Sequence, residues 1–288
     1  MADRHPLIAA EELASFVGDC DVRIVDCRFN LNEPSAGYTS YLQWHIPGAV
    51  YADLDQDLAA PIGPGTGRHP LPDPTKFGDT LGHLGIDSGA HVVVYDECSG
   101  AIAARAWWLL RWLGHTRVSL LEGGIKRWSA LKLPLESGAV VVRKRNFDPR
   151  PHPELILETE EIVAAGNRRA KLRLIDARDA VRFRGETEPI DAVAGHIDGT
   201  LNLPFAESLN DDGTWKNPEE LERLFARVLG NDRAVRWSVM CGSGVTACHL
   251  AIAGLIAGRP IPRLYVGSWS EWIANPDRIV STGAEQKG

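Results

Sequence analysis

Six consecutive residues, Cys241-Gly242-Ser243-Gly244-Val245-Thr246, bring together one thiol, two hydroxyls and two glycines. The apolar stretch Val235 to Met240 before them predicts a buried strand, and Thr246 to Ala257 after them predicts an apolar helix. Glycines let such a strand-to-helix turn bend until several backbone N–H groups point into one concave loop, which favours an anion. The positive end of the helix dipole adds to that preference. An ordinary thiol, with a pKa of about 8.5, is only a few per cent ionised at neutral pH, and a downward shift of roughly two units makes most of it thiolate. The loop therefore predicts a depressed pKa for Cys241, a nucleophilic sulfur, and equally good stabilisation of a terminal persulfide anion. The alternative is a core cysteine at a strand end, which the small turn-forming residues after it disfavour.

The other four cysteines lack such surroundings. Cys20, Cys27, Cys98 and Cys248 make the total odd, with no CxxC pair and no metal-ligand spacing, so neither a disulfide framework nor a metal site is expected. Cys248 lies inside the apolar helix, and Cys98 falls one position out of register with Cys241 and has no Gly-x-Gly around it. No nucleotide fingerprint is found, and no cofactor is expected. A formal net charge of −7 argues against nucleic acid or anionic lipid as a partner. Apolar residues make up 44% without any membrane-length run, as in an ordinary soluble chain. The N-terminal MADRHPLIAAEEL, charged at Asp3 and Arg4, has no secretory h-region, so a cytoplasmic location is expected.

The elements that must position Cys241 occur twice. Ile24 to Arg28 (IVDCR) returns as Leu174 to Arg178 (LIDAR), His45 to Val50 (HIPGAV) as His196 to Leu201 (HIDGTL), and Gly123 to Trp128 (GGIKRW) as Gly267 to Trp272 (GSWSEW). The last pair sets an offset of 144, which also superposes Ser99-Gly100 on Ser243-Gly244 and places Glu97 opposite Cys241. Val92 to Tyr95 followed by the helical Ala101 to Leu113 repeats the strand-loop-helix unit in the first copy. Strands alternating with helices of this length predict an α/β fold, a mostly parallel sheet in each copy with helices on both faces and functional groups at the carboxyl ends of the strands. The expected division is a first domain over 1–135 without a catalytic cysteine, a Pro- and charge-rich linker over 136–155 containing Arg143-Lys144-Arg145, and a catalytic second domain over 156–288.

These residues resemble the rhodanese superfamily, in particular its tandem-domain sulfurtransferases, over nearly the whole chain. The loop Cys-Gly-Ser-Gly-Val-Thr is similar to that of the mercaptopyruvate-using members. Thiosulfate-using members place basic side chains just after the cysteine, where this chain has Gly242 and Ser243. The resemblance implies a relay of a hydroxyl, a histidine and an aspartate, which by motif are Ser243, His69 and Asp55, with Asp53 a near alternative. Such a relay has a chemical task, because the departing pyruvate enolate must be protonated. The resemblance also assigns the donor carboxylate to Arg182, with Arg184 its neighbour, and the sulfur's charge to the amides of Gly242, Gly244, Val245 and Thr246. One feature departs from the pattern: animal-type members carry a second arginine before the second GHI motif, where this chain has Ile190. His45 and His196 are expected to fix local turns.

The expected chemistry is sulfur transfer from a small-molecule donor, 3-mercaptopyruvate, through a Cys241 persulfide. The acceptor would be cyanide, a small thiol or a thioredoxin-like protein. Thiosulfate:cyanide transfer and a persulfide carrier are the alternatives. A cysteine-dependent phosphatase would need Arg six positions after the cysteine, where Ala247 stands.

Overall fold

The computed structural model describes residues 5–284, the side chain of Asn167 excepted, so Asp3 and Arg4 lie outside the described residues. The chain divides into two compact units: the first holds residues 5–60 and 72–152, the second Pro61–Leu71 and residues 153–284.

In the first unit the elements follow in the order β1 (Leu7–Ile8), α1 (Ala10–Ala14), β2 (Val22–Asp26), α2 (Ser35–Gln43), β3 (Val50–Tyr51), α3 (Pro74–His83), β4 (His91–Tyr95), α4 (Ala103–Trp112), β5 (Val118–Leu121) and α5 (Gly124–Ala130). The strands form one sheet, ordered β1-β5-β4-β2-β3, with every neighbouring pair parallel. Because side chains alternate along a strand, Val93 and Tyr95 pack with Ile24 and Leu121 against Leu13 of α1 and Ile125 and Trp128 of α5. Val25 and Val94 face the other way, toward Phe77 and Leu81 of α3 and Ala106 and Leu110 of α4. Both faces are thus covered, as near-continuous apolar strands require. The start of α3 is fixed by Asp73, whose carboxylate accepts from the amides of Thr75 and Lys76, with Pro74 in the first turn.

Residues 136–152, expected to be a linker, run along the first unit. Glu136 and His45 exchange two backbone hydrogen bonds, and the amides of Arg145, Arg150 and His152 donate to the carbonyls of Gly82, Leu113 and Trp112. Gly82 permits this approach, since a Cβ there would lie 2.5 Å from the Arg145 carbonyl oxygen. Arg145 of the basic cluster pairs with Asp87 at 2.8 Å.

The second unit repeats the plan with α6 (Thr159–Ala165), β6 (Leu174–Asp176), α7 (Ala180–Phe183), β7 (Leu201–Asn202), α8 (Pro218–Leu229), β8 (Ser238–Met240), α9 (Ala247–Ile256), β9 (Arg263–Leu264) and α10 (Ser268–Trp272). Its sheet is ordered β7-β6-β8-β9, again all parallel, and a parallel bridge from Ile156 to Leu264 occupies the place that β1 holds beside β5. Strand β8 starts later than Val235 because Asp232 closes a turn there, accepting from the amides of Ala234 and Val235. Helix α8 begins in a reciprocal cap between Asn217 and Glu220.

The duplicated motifs do the same structural work in both units. Arg28 donates to Asp26 at 2.6 Å and to the Trp44 carbonyl at 2.7 Å; Arg178 donates to Asp176 at 2.7 Å and to the Gly195 carbonyl at 2.7 Å. All four side chains are buried, with the charges paired and hydrogen-bonded as burial demands. His45 Nδ1 donates to the Tyr41 carbonyl and His196 Nδ1 to the Phe183 carbonyl, each at 2.8 Å, and each ring stacks on the aromatic residue it bonds. These histidines fix turns. Among the described residues, no helix is long and apolar enough to cross a membrane.

Candidate active site

Strand β8 delivers Cys241 to the carboxyl end of the second sheet, where it is only 2% exposed. Its amide donates to Ser268 Oγ at 3.1 Å and its carbonyl accepts from the Trp269 amide at 3.0 Å, so the start of α10 holds the cysteine's backbone from both sides. Ser268 does this from a left-handed backbone, φ 54°, while its hydroxyl also donates to the Tyr265 carbonyl at 2.8 Å. Gly124, at φ 53°, is its counterpart at the offset of 144. Ser268 is therefore a serine at a position the first copy gives to glycine.

Gly244 turns the loop at φ 73°, and a Cβ there would lie 2.4 Å from the Val266 carbonyl oxygen, so only glycine fits. Val245 is buried, and Thr246 sits at the N-terminal boundary of α9. Cys248, one turn further on, is buried and donates its thiol to the Gly244 carbonyl at 3.3 Å, a structural place.

The segment Pro61–Leu71 brings His69 to this loop within the second unit. His69 Nδ1 and Ser243 Oγ are 2.8 Å apart and both residues are buried. The bond joins a residue of the first half of the chain to one of the second. Asp55 belongs to the first unit, where its amide donates to Asp53 Oδ1 at 2.9 Å. Burial, and then the neighbouring Asp53, push its carboxyl above the usual carboxylate range.

Arg182, on α7, is held by Glu188 through contacts of 2.6 to 3.2 Å and reaches Asp191 Oδ2 at 3.3 Å. Arg178 reaches the same Glu188 at 3.3 Å, and Arg68 pairs with Asp191 Oδ1. Burial would raise the Glu188 carboxyl, but hydrogen bonds from Arg182 and from the amides of Asp191 and Ile190 hold it below the usual range. Burial raises Asp191 in spite of Arg68. A Cβ built on Gly242 would lie 2.9 Å from Arg68 Nη2 and 3.7 Å from Arg182 Nη2, so two guanidinium groups lie against the cysteine loop. Arg184 is not among them: its guanidinium pairs with Glu186 at 2.7 Å on the surface. The side chain of Ile190 is exposed.

Sequence reasoning missed Arg68, Glu188, Asp191 and Ser268. Arg68 adjoins His69 in one motif, and Ser268 stands opposite Gly124 in the repeat, so both signals were present in the sequence.

The corresponding loop of the first unit is closed by its own acid. Asp96, fully buried, accepts from the amides of Cys98, Gly100, Ile102 and Ala103 at 2.8 to 2.9 Å. The offset of 144 maps those amides onto Gly242, Gly244, Thr246 and Ala247. Desolvation, and then Asp96 beside it, push the Cys98 thiol well above the ordinary thiol range.

Two parallel, doubly covered sheets in tandem, with a cysteine loop at the carboxyl end of the second, define a duplicated α/β protein of the rhodanese type. The rhodanese-like domain model matches residues 9–131 and 138–275, and the chain belongs to that family. It is 46% identical over 279 residues, 96% of this chain and 98% of the relative, to a protein of Pseudomonas aeruginosa named probable 3-mercaptopyruvate sulfurtransferase. It is 40% identical over 283 residues, 96% and 97% of the two chains, to a protein of Mycobacterium tuberculosis named putative thiosulfate sulfurtransferase SseB. The crystal structure of SseA from Escherichia coli, described as a 3-mercaptopyruvate sulfotransferase, superposes with a TM-score of 0.81 at 34% identity, covering 93% of this chain and all of that one.

Proposed function

We propose that the chain is a cytoplasmic sulfurtransferase that moves sulfur from 3-mercaptopyruvate, through a persulfide on Cys241, to a thiophilic acceptor. The Cys241 thiolate attacks the donor sulfur and the carbon–sulfur bond breaks, its electron pair staying on carbon as the enolate of pyruvate. That carbon takes a proton and pyruvate leaves. A thiophilic acceptor, cyanide, a small thiol or a thioredoxin-like dithiol, then takes the outer sulfur and returns the thiolate, a ping-pong cycle. The observation that carries this reading is the 2.8 Å pair of His69 Nδ1 and Ser243 Oγ, two residues beyond the thiol. It supplies a proton route of the kind enolate quenching needs. In this reading the amides of Gly242, Gly244, Val245 and Thr246 hold the sulfur's negative charge, and Arg182 orients the donor carboxylate. Asp55 enters through the family resemblance as the acid behind His69. Neither a metal nor a cofactor takes part in these steps.

Thiosulfate is the second reading, because a relative 40% identical carries that donor in its name. The absence of basic side chains at Gly242 and Ser243 favours mercaptopyruvate. Steady-state turnover with each donor, following pyruvate release and thiocyanate formation on the same protein, decides between them. A kcat/KM for 3-mercaptopyruvate at least about tenfold the higher supports the proposal; a preference for thiosulfate overturns it. No turnover with either would indicate a carrier charged by another protein.

A further inference from the structure

Ser243 and His69 stand 174 residues apart in the chain, so their 2.8 Å contact needs something that holds both backbones at once. Ser270 of α10 touches both. Its amide donates to the Gly242 carbonyl at 2.9 Å, one residue before Ser243. Its Oγ accepts from the Arg68 amide at 3.1 Å, one residue before His69. The same hydroxyl donates its proton to the Gly267 carbonyl at 3.2 Å, which leaves its lone pairs to the Arg68 amide.

The His69 segment comes this near because Gly67 has no side chain. A Cβ there would meet the Gly267 carbonyl oxygen at 2.5 Å and Ser270 Oγ at 3.0 Å. Pro61–Leu71 contains neither helix nor strand, so no ladder or helical turn sets its register on the second unit. A bond from its backbone to α10 does that work. The repeat supplies the control. The offset of 144 places Lys126 opposite Ser270, and Lys126 is exposed, so the plan of the unit does not require a hydroxyl at this point of the helix. The serine stands only in the copy that receives the histidine segment.

We infer that Ser270 is the positioning residue that sets the distance between Ser243 and His69, its amide holding the cysteine loop and its hydroxyl the histidine segment. Protonation of the pyruvate enolate depends on that distance. Discharge of the persulfide does not: cyanide takes the outer sulfur as thiocyanate and frees the Cys241 thiolate, with no proton moved to carbon. Loss of the hydroxyl therefore separates the two half-reactions. The inference rests on the mercaptopyruvate reading above.

The test measures each half-reaction in the wild type, Ser270→Ala, Ser270→Thr, Ser243→Ala and the double variant Ser270→Ala/Ser243→Ala. Pyruvate release is followed in a single turnover with 3-mercaptopyruvate; enzyme loaded with excess donor and desalted is then mixed with cyanide, and thiocyanate is followed. Ser270→Ala is expected to slow pyruvate release about tenfold, the scale of a displaced rather than a deleted proton-transfer group. Thiocyanate formation should stay within about twofold of the wild type. Ser270→Thr, which keeps the hydroxyl, should restore most of the rate, and in the Ser243→Ala background the loss of the Ser270 hydroxyl should cost nothing further, because the relay it positions is already gone. Equal slowing of both half-reactions would make Ser270 a support of the cysteine loop, a full further loss in the Ser243→Ala background would make it independent of the relay, and an unchanged rate would remove it from the site; each overturns the inference. Pyruvate release at the wild-type rate in Ser243→Ala overturns the relay reading itself, a result read without any Ser270 variant.

Discussion

The loops after β4 and β8 are the same turn put to opposite uses. Both run from a buried parallel strand into an apolar helix, with left-handed glycines at Gly100 and Gly244, and the helices begin at Ala103 and Ala247, 144 residues apart. In the first, Asp96 fills the ring of amides with a carboxylate of the chain's own. In the second, Met240 takes that position and the thiol follows one residue later. On the proposed function, such a turn serves either as a structural cap or as an anion site, depending on whether the sequence supplies the anion. Asp96 in the first loop against Met240 in the second is the difference that separates them.

The two loops should differ most at Cys241, which the first loop lacks. Cys241→Ser is expected to reduce transfer with any donor by about a thousandfold or more while the melting temperature stays near that of the wild type; residual turnover above a few per cent would move the chemistry elsewhere. Ser243→Ala should lower kcat for 3-mercaptopyruvate by roughly a hundredfold, the usual scale of a lost proton-transfer group, with KM little changed. In the other loop the loss should be of stability. Asp96→Ala leaves the amides of Cys98, Gly100, Ile102 and Ala103 without their acceptor, the bonds of Gly100 and Ala103 being buried, and should cost about 3 kcal/mol, read by urea unfolding, with the first unit losing its amide protection from hydrogen exchange.

Two smaller effects follow pH. The Glu188 carboxyl is held below its ordinary range, so its stabilisation is fully present above about pH 4.3 and is lost as pH falls through the lower folded value. Acid unfolding should therefore show the gap between wild type and Glu188→Gln closing below that pH. In the first loop, the raised Cys98 thiol should react with iodoacetamide more slowly than a free cysteine at neutral pH and gain rate only in strongly alkaline solution, followed by peptide mass spectrometry.

Much of this was legible in the sequence because the chain repeats. A periodicity of apolar runs ending in Asp-x-Arg predicts parallel strands with buried exits, and the paired bonds of Arg28 and Arg178 bear that out. The offset that aligned Ser99-Gly100 with Ser243-Gly244 also aligns the starts of the two helices. The loop's partners were less legible. Within residues 61–71 the His69 motif points to the Ser243 loop only through the family resemblance; the packing device is a missing Cβ at Gly67 against the Gly267 carbonyl, a relation across about two hundred residues that no local pattern encodes. Arg182 and Arg184 read as equivalent neighbours along the chain. Two residues apart on a helical turn, they point to nearly opposite sides, and the second meets Glu186 at the surface.

Cys241, and no other of the five cysteines, is expected to carry the sulfur. The most direct test mixes the protein with one equivalent of 3-mercaptopyruvate without acceptor, measures pyruvate, and maps the added mass by peptide mass spectrometry. A gain of one sulfur atom on the Cys241 peptide, equal to the pyruvate released and discharged by cyanide, is the predicted result; pyruvate release with Cys241 unmodified, or with the sulfur on Cys98, would contradict it.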